Sequence, residues 1–158
     1  MGVDFIKSLI IHILINFEKF KNRISMAILI WNPSLNVNID IIDTQHKRLF
    51  ELANDFYSEL YKGADKACLL VKIDELISYS NFHFQTEENL LVHSNYSGLP
   101  SHASEHKQFL DELTALKSRV ISENMVISVE IINFLRNSII DHIFVSDRNM
   151  AKFMVVPA

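Results

Sequence analysis

The stretch NFHFQTEE, residues 81–88, sets His83 and Glu87 four residues apart in a run whose apolar spacing describes a helix. Residues at that spacing project side by side from one helix face. The same face carries Leu69, Ile73, Leu76, Ser80 and Leu90, so an imidazole and a carboxylate stand on the side that should meet a core. Outward from this segment the pattern recurs. An earlier helix, capped by Asp43 and stopped near Gly63, aligns His46, Leu49, Ala53, Phe56 and Leu60. The helix holding residues 81–88 begins after Asp65 and ends before the loop HSNYSGLP, residues 93–100. A third starts at Pro100 and Ser101 and aligns His102, His106, Phe109, Leu113, Leu116 and Val120. A fourth starts at Ser128 and aligns Ile132, Leu135, Ile139 and His142.

The links, residues 62–64, 93–100 and 122–127, are short, and short links between long helices favour antiparallel neighbours. The expected fold is all-α, an antiparallel up-down-up-down four-helix bundle. Three glycines and three prolines in 158 residues agree with few turns and long elements. Before the first helix, residues 31–42 (WNPSLNVNIDII) combine turn formers with β-branched residues and read as an extended arm. Residues 1–25 form a separate extension, in which Ile6, Ile10, Ile13, Phe17, Phe20 and Ile24 describe an amphipathic helix. Its uncharged run is too short to cross a bilayer and has no cleavage signal, so either it docks on the bundle, a membrane surface or a partner protein, or Met26 is the natural start. Residues 26–158 make the bundle domain.

A formal charge of -4 with no compensating Lys/Arg run argues against a nucleic acid partner. Cys68 is the only cysteine, so the chain can form neither an internal disulfide nor a thiolate metal cluster, and a cytoplasmic location is expected.

Each of the four stripes carries residues able to bind a metal: His46, then His83 and Glu87, then His102 and His106, then His142 with Asp147 nearby. A single histidine on an apolar stripe is usually a hydrogen-bonded core residue. Five imidazoles and two carboxylates in one small core are a heavy desolvation burden, and a bound cation is the usual compensation. Glu88 and Glu105 point off the stripes and are assigned to the solvated surface; His12 and His93 are given structural roles. Seven side chains exceed the roughly six positions of one octahedral ion, which implies two ions. With both carboxylates bridging and an oxide or hydroxide bridge added, one of the roughly twelve positions stays open for a small ligand. Zinc prefers four ligands, whereas iron accepts six mixed N and O donors. One spacing resists a regular helix. His142 and Asp147 are five residues apart, about 140° around an ideal helix, so Asp147 reaches in from the flank or the helix widens there.

The segments WNPSLNVNIDIIDTQHK, HFQTEENLL with Tyr96, SHASEH and DHIFVSD, in this order and spacing, closely resemble the hemerythrins, above all the single-domain bacterial ones. The likeness spans about residues 30–158. It implies a non-haem di-iron oxygen-binding protein in which His102, His106 and His142 hold a coordinatively full iron, His46 and His83 hold an open one, and Glu87 and Asp147 bridge. It also implies that O2 binds the open iron as hydroperoxide, hydrogen-bonded to the oxo bridge. Asn38 stands where the family usually has Gly, and Asn tolerates left-handed backbone better than most residues. Ser97 and Leu91 replace a frequent Pro and Met. Leu49, Phe50, Phe84, Ile139, Ile143 and Phe144 are the expected dry wall of the ligand pocket.

The expected function is therefore a reversible oxygen carrier or store rather than an enzyme. Two alternatives are a sensor of oxygen or nitric oxide acting through a partner, and a di-iron peroxidase or nitric oxide reductase. An imidazole-dominated shell leaves the ions less compensated by anions than a Glu-rich one, which disfavours high-valent iron.

Overall fold

The computed structural model describes residues 27–122 and 129–155. Within these residues every regular element is helical. Helix α1 is Asp40–Tyr61, α2 is Lys66–His93 and α3 is Leu99–Ile121. The fourth rod is composite: α4, Val129–Asp141, continues through a π-helical turn, His142–Asp147, into α5, Arg148–Val155. Neighbours in the chain pack side by side, α1 on α2 and α2 on α3, as their short links require. The amphipathic segment of residues 1–25 and the start of the fourth helix at Ser128 lie outside the described residues.

Local chemistry sets the ends. Asp65 caps α2, its carboxylate accepting from the Cys68 N–H at 2.8 Å. Gly63 takes the left-handed φ of +71° that turns the chain out of α1. At the entrance to α3 the Tyr96 ring lies where a Cβ on Gly98 would stand, 2.6 Å away, so only glycine lets the ring fold over the helix start.

The start of α1 corrects the sequence reading. The helix begins at Asp40, and Asp43 lies in its first turn rather than at its cap. The Asp43 carboxylate instead reaches back to the arm, accepting from the Val37 N–H at 2.8 Å and the Asn38 N–H at 3.0 Å. Asn38 has φ of +63°, the left-handed geometry expected of it, and this kink brings both N–H groups onto one carboxylate. The arm contains a short 3-10 turn, Pro33–Leu35, capped by the Asn32 side chain. Asn54 of α1 pins its upstream part: Oδ1 accepts from the Ile28 and Leu29 N–H groups, and Nδ2 donates to the Leu29 carbonyl. The Arg148 guanidinium donates to the Ser34 carbonyl, tying the arm to the fourth rod.

The stripes converge. Leu49, Ala53, Phe56 and Leu60 of α1 meet Leu69, Ile73 and Leu76 of α2 and Leu113, Leu116 and Val120 of α3, all buried. Burying each large apolar side chain contributes about 1.5–3 kcal/mol, so this half of the bundle holds the helices together. On α2 the buried position near the end is Leu91, with Leu90 half-buried beside it. The other half of the interior is polar, and it carries the seven residues singled out above.

Candidate metal centre

Antiparallel packing brings the seven side chains to one end of the bundle. His46 comes from the beginning of α1, His83 and Glu87 from the end of α2, His102 and His106 from the beginning of α3, and His142 and Asp147 from the two ends of the π turn. The π turn is the local widening anticipated from the five-residue spacing: one extra residue per turn lets both side chains face inward. Asp147 and Glu87 are fully buried, and of the five imidazoles only His142, at 14%, is more than 3% exposed.

The two carboxylates divide their oxygens between two groups of imidazoles. Glu87 Oε1 lies 3.5 Å from both His46 Nε2 and His83 Nε2, while Oε2 lies 3.2 Å from His102 Nε2 and 3.1 Å from His106 Nε2. Asp147 Oδ2 lies 3.0 Å from His46 Nε2, while Oδ1 lies 3.1 Å from His142 Nε2 and 3.6 Å from His102 Nε2. Two donor sets able to hold a cation result: His102, His106, His142, Glu87 and Asp147 in one, and His46, His83 and Glu87 in the other.

Hydrogen bonding on the far side of three of the rings fixes where their lone pairs point. His106 Nδ1–H donates to Glu88 Oε1 at 2.8 Å, and His142 Nδ1–H donates to Glu105 Oε2 at 2.9 Å. If Nδ1 carries the proton in both neutral rings, their Nε2 lone pairs face one another across 3.0 Å. His83 follows the same rule. The Thr86 hydroxyl donates to the Phe82 carbonyl, and Gln45 Nε2 donates to Thr86, which orients the amide so that Gln45 Oε1 accepts from His83 Nδ1–H at 3.1 Å. With Nδ1 protonated, the rings of His83, His106 and His142 turn acceptor nitrogens toward the two buried carboxylates. Glu87 Oε1, both oxygens of Asp147 and both ring nitrogens of His46 are buried with no hydrogen-bond partner. A positive charge must sit among them, and the mixed imidazole and carboxylate donors fit a first-row metal ion.

The titration behaviour agrees. Burial would lower His46, but the carboxylates of Asp147 and Glu87 beside it outweigh that and raise the ring to about 9. His142 is likewise raised to about 9 by Asp147, Glu87 and Glu105 against the effect of burial. His83 goes the other way, to about 4, because burial dominates. Burial would raise Glu87, yet His83, His102, His106 and His46 bring it well below the ordinary carboxylate range. Asp147 is lowered too, since His142 and His46 outweigh burial and the charge of Glu87.

A pH dependence follows. Groups raised above the ordinary 6.5 contribute stability that is complete below that value and lost as pH rises through about 9. Chelator-stripped protein should therefore lose melting temperature as the pH passes about 9, whereas cation-loaded protein should not, because the cations have replaced those protons. At the acid end Glu87 and Asp147, both lowered, withdraw their contribution as they protonate, and His83 adds to the loss. Thermal melts of the two forms across pH check this; a stripped form with a flat alkaline limb would contradict it.

A family model described as the hemerythrin HHE cation binding domain matches residues 37–154. The chain belongs to the hemerythrin family. A bacteriohemerythrin of Stenotrophomonas maltophilia is 30% identical over 126 residues, 80% of this chain and 81% of that one. A bacteriohemerythrin of Clostridium acetobutylicum is 33% identical over 124 residues, 75% of this chain and 95% of its own length. The myohemerythrin of Sipunculus nudus is 32% identical over 89 residues, 56% of this chain and 68% of that one. A crystal structure of a wild-type hemerythrin superposes with a TM-score of 0.73 at 21% identity, covering 81% of this chain and 98% of that one, and supports the shared fold.

Against this hemerythrin fold, two assignments need correction. Glu88 and Glu105 are 37% and 45% exposed, but each accepts a hydrogen bond from a clustered imidazole and is not a plain surface charge. Phe144 is half exposed, turned outward on the π segment with the Arg148 guanidinium 4.0 Å from its ring centroid, so it forms no part of a dry wall. Leu49, Phe50, Phe84, Ile139 and Ile143 are buried as expected, and the Phe84 ring stacks on His106 at 3.9 Å. A cavity of about 330 Å³ between α3 and the fourth rod reaches His83, His106 and His142 past Leu49, Phe84 and Ile139. Gln45, Glu88 and Glu105 were not singled out as partners in the sequence; the available signal was a hydrogen-bonding residue adjacent to a candidate ligand on each of three helices. His93 donates to the Asn89 carbonyl, in keeping with a structural role, and His12 lies outside the described residues. Among the described residues, no helix is long and apolar enough to cross a membrane.

Proposed function

We propose that this hemerythrin is a cytoplasmic oxygen carrier or store that holds two iron ions and binds O2 reversibly without enzymatic turnover. The observation that carries the reading is the division of each bridging-type carboxylate between unequal imidazole sets. His102, His106 and His142 with one oxygen each of Glu87 and Asp147 supply five donors; His46, His83 and Glu87 Oε1 supply three, and Asp147 Oδ2, 3.0 Å from His46 Nε2, adds a fourth. Against roughly six positions per ion, a shared oxide or hydroxide would complete the first set and leave the second one short. When bound, such an iron pair supplies the electrons and the open position that O2 binding requires. The chain's own part is to orient the imidazoles, bridge with Glu87 and Asp147, and keep bulk water away with Leu49, Phe84, Ile139 and Ile143. The cavity between α3 and the fourth rod is wide enough for a diatomic ligand to approach the centre.

Optical spectra of iron-loaded protein through repeated oxygenation and deoxygenation test the reading. A charge-transfer band that appears and vanishes reversibly is expected, and His46→Leu is expected to abolish it, since His46 is one of only two imidazoles at the open end. Rapid irreversible oxidation, or normal oxygen uptake by His46→Leu, would overturn the assignment. Multiple turnovers with peroxide or nitric oxide would favour an enzyme instead.

A further inference from the structure

The residues behind the imidazoles form a directional series. Gln45 of α1 supports His83 of α2, Glu88 of α2 supports His106 of α3, and Glu105 of α3 supports His142 of the fourth rod. The series does not close, because His46 Nδ1 is buried without a partner. It is also unequal in charge. The two supports at the His106/His142 end are carboxylates, at 2.8 and 2.9 Å; the one support at the His46/His83 end is a neutral amide, at 3.1 Å. A carboxylate accepting Nδ1–H draws the proton toward itself and raises the basicity of Nε2, whereas an amide mainly orients the ring. Glu105 has a second task. The oxygen that holds His142 also accepts from the Ser146 hydroxyl at 2.5 Å, so one carboxylate braces both parts of the π turn.

We infer that Glu88 and Glu105 are positioning residues whose charge makes the His106/His142 end of the centre the tighter of two cation positions, leaving the His46/His83 end the weaker. The inference rests on the two-iron reading above. Because both carboxylates are about 40% exposed, solvent screens their charge and the effect belongs at the lower end of the about 10- to 100-fold that outer-partner changes have on metal affinity.

Glu88→Gln and Glu105→Gln keep a carbonyl oxygen that can accept from the same ring and remove only the charge, so a purely structural role would survive them. Protein loaded anaerobically with ferrous iron is mixed with a ferrous chelator and the release of iron is followed. Wild type is expected to release its iron in two phases. The double variant E88Q/E105Q should accelerate the slow phase about 10-fold with the fast phase unchanged, and each single variant should give a smaller shift of the same phase. Gln45→Leu should accelerate the fast phase alone. A slow phase unaffected by E88Q/E105Q, or release of both irons from wild type in a single phase, would overturn the inference while leaving the two-iron reading intact. Wild-type protein that retains fewer than two irons would overturn that reading itself.

Discussion

Replacing Glu87 by Gln is expected to leave a chain able to retain at most one iron. Glu87 belongs to both donor sets, and its two oxygens face opposite pairs of imidazoles. The variant keeps the volume and one carbonyl oxygen but turns an amide NH2 toward two ring nitrogens where a cation would sit. Loss of charge and loss of a shared donor act together, so the fall in affinity for the second ion should exceed the about 10- to 100-fold typical of outer-partner changes. Iron content after desalting, compared with wild type, reads the effect. Full retention of two irons by Glu87→Gln would show that the carboxylate does not bridge.

The second large effect concerns the arm. Asp43→Ala should lower stability by about 1.5–4.5 kcal/mol, because the buried Val37 N–H loses its acceptor at about 1–3 kcal/mol and the exposed Asn38 N–H loses a hydrogen bond worth about 0.5–1.5 kcal/mol net. For a chain of this length that is a fall in melting temperature on the order of 10 °C. The arm places Trp31, the only tryptophan, with its ring 6.3 Å from His46 and 5.3 Å from Phe50. Release of the arm should therefore shift Trp31 emission to the red at temperatures where the bundle remains helical. Asp43→Asn, which keeps one acceptor, should fall between the two. Unchanged melting and emission in Asp43→Ala would mean that Asn54 and Arg148 hold the arm without it.

The bundle was legible in the sequence because its helices are long and their inward faces repeat regularly; His46, Leu49, Ala53, Phe56 and Leu60 are all buried as their spacing implied. The seven central side chains were legible for the same reason, and the awkward interval between His142 and Asp147 left two outcomes, a flanking reach or a local widening, of which the π turn is the second. What escaped was chemistry that crosses between helices. Glu88 lies next to Glu87 but serves His106, and Glu105 lies next to His106 but serves His142. Spacing along one helix cannot reveal such a partner, since the relation exists only after packing. The start of α1 was hidden by another mechanism: Asp43 has the chemistry of a cap, but the left-handed turn at Asn38 delivers arm N–H groups to it, and the helix begins a turn earlier. Phe144 departs from the expected wall because the extra residue in the π turn rotates it outward.

The central claim is that one polar interior accommodates a pair of cations through Glu87 and Asp147. Anaerobic titration of chelator-stripped protein with ferrous iron, read as tightly bound iron per chain, tests it most directly. Saturation at two ions is expected from the two donor sets; saturation at one would contradict the claim.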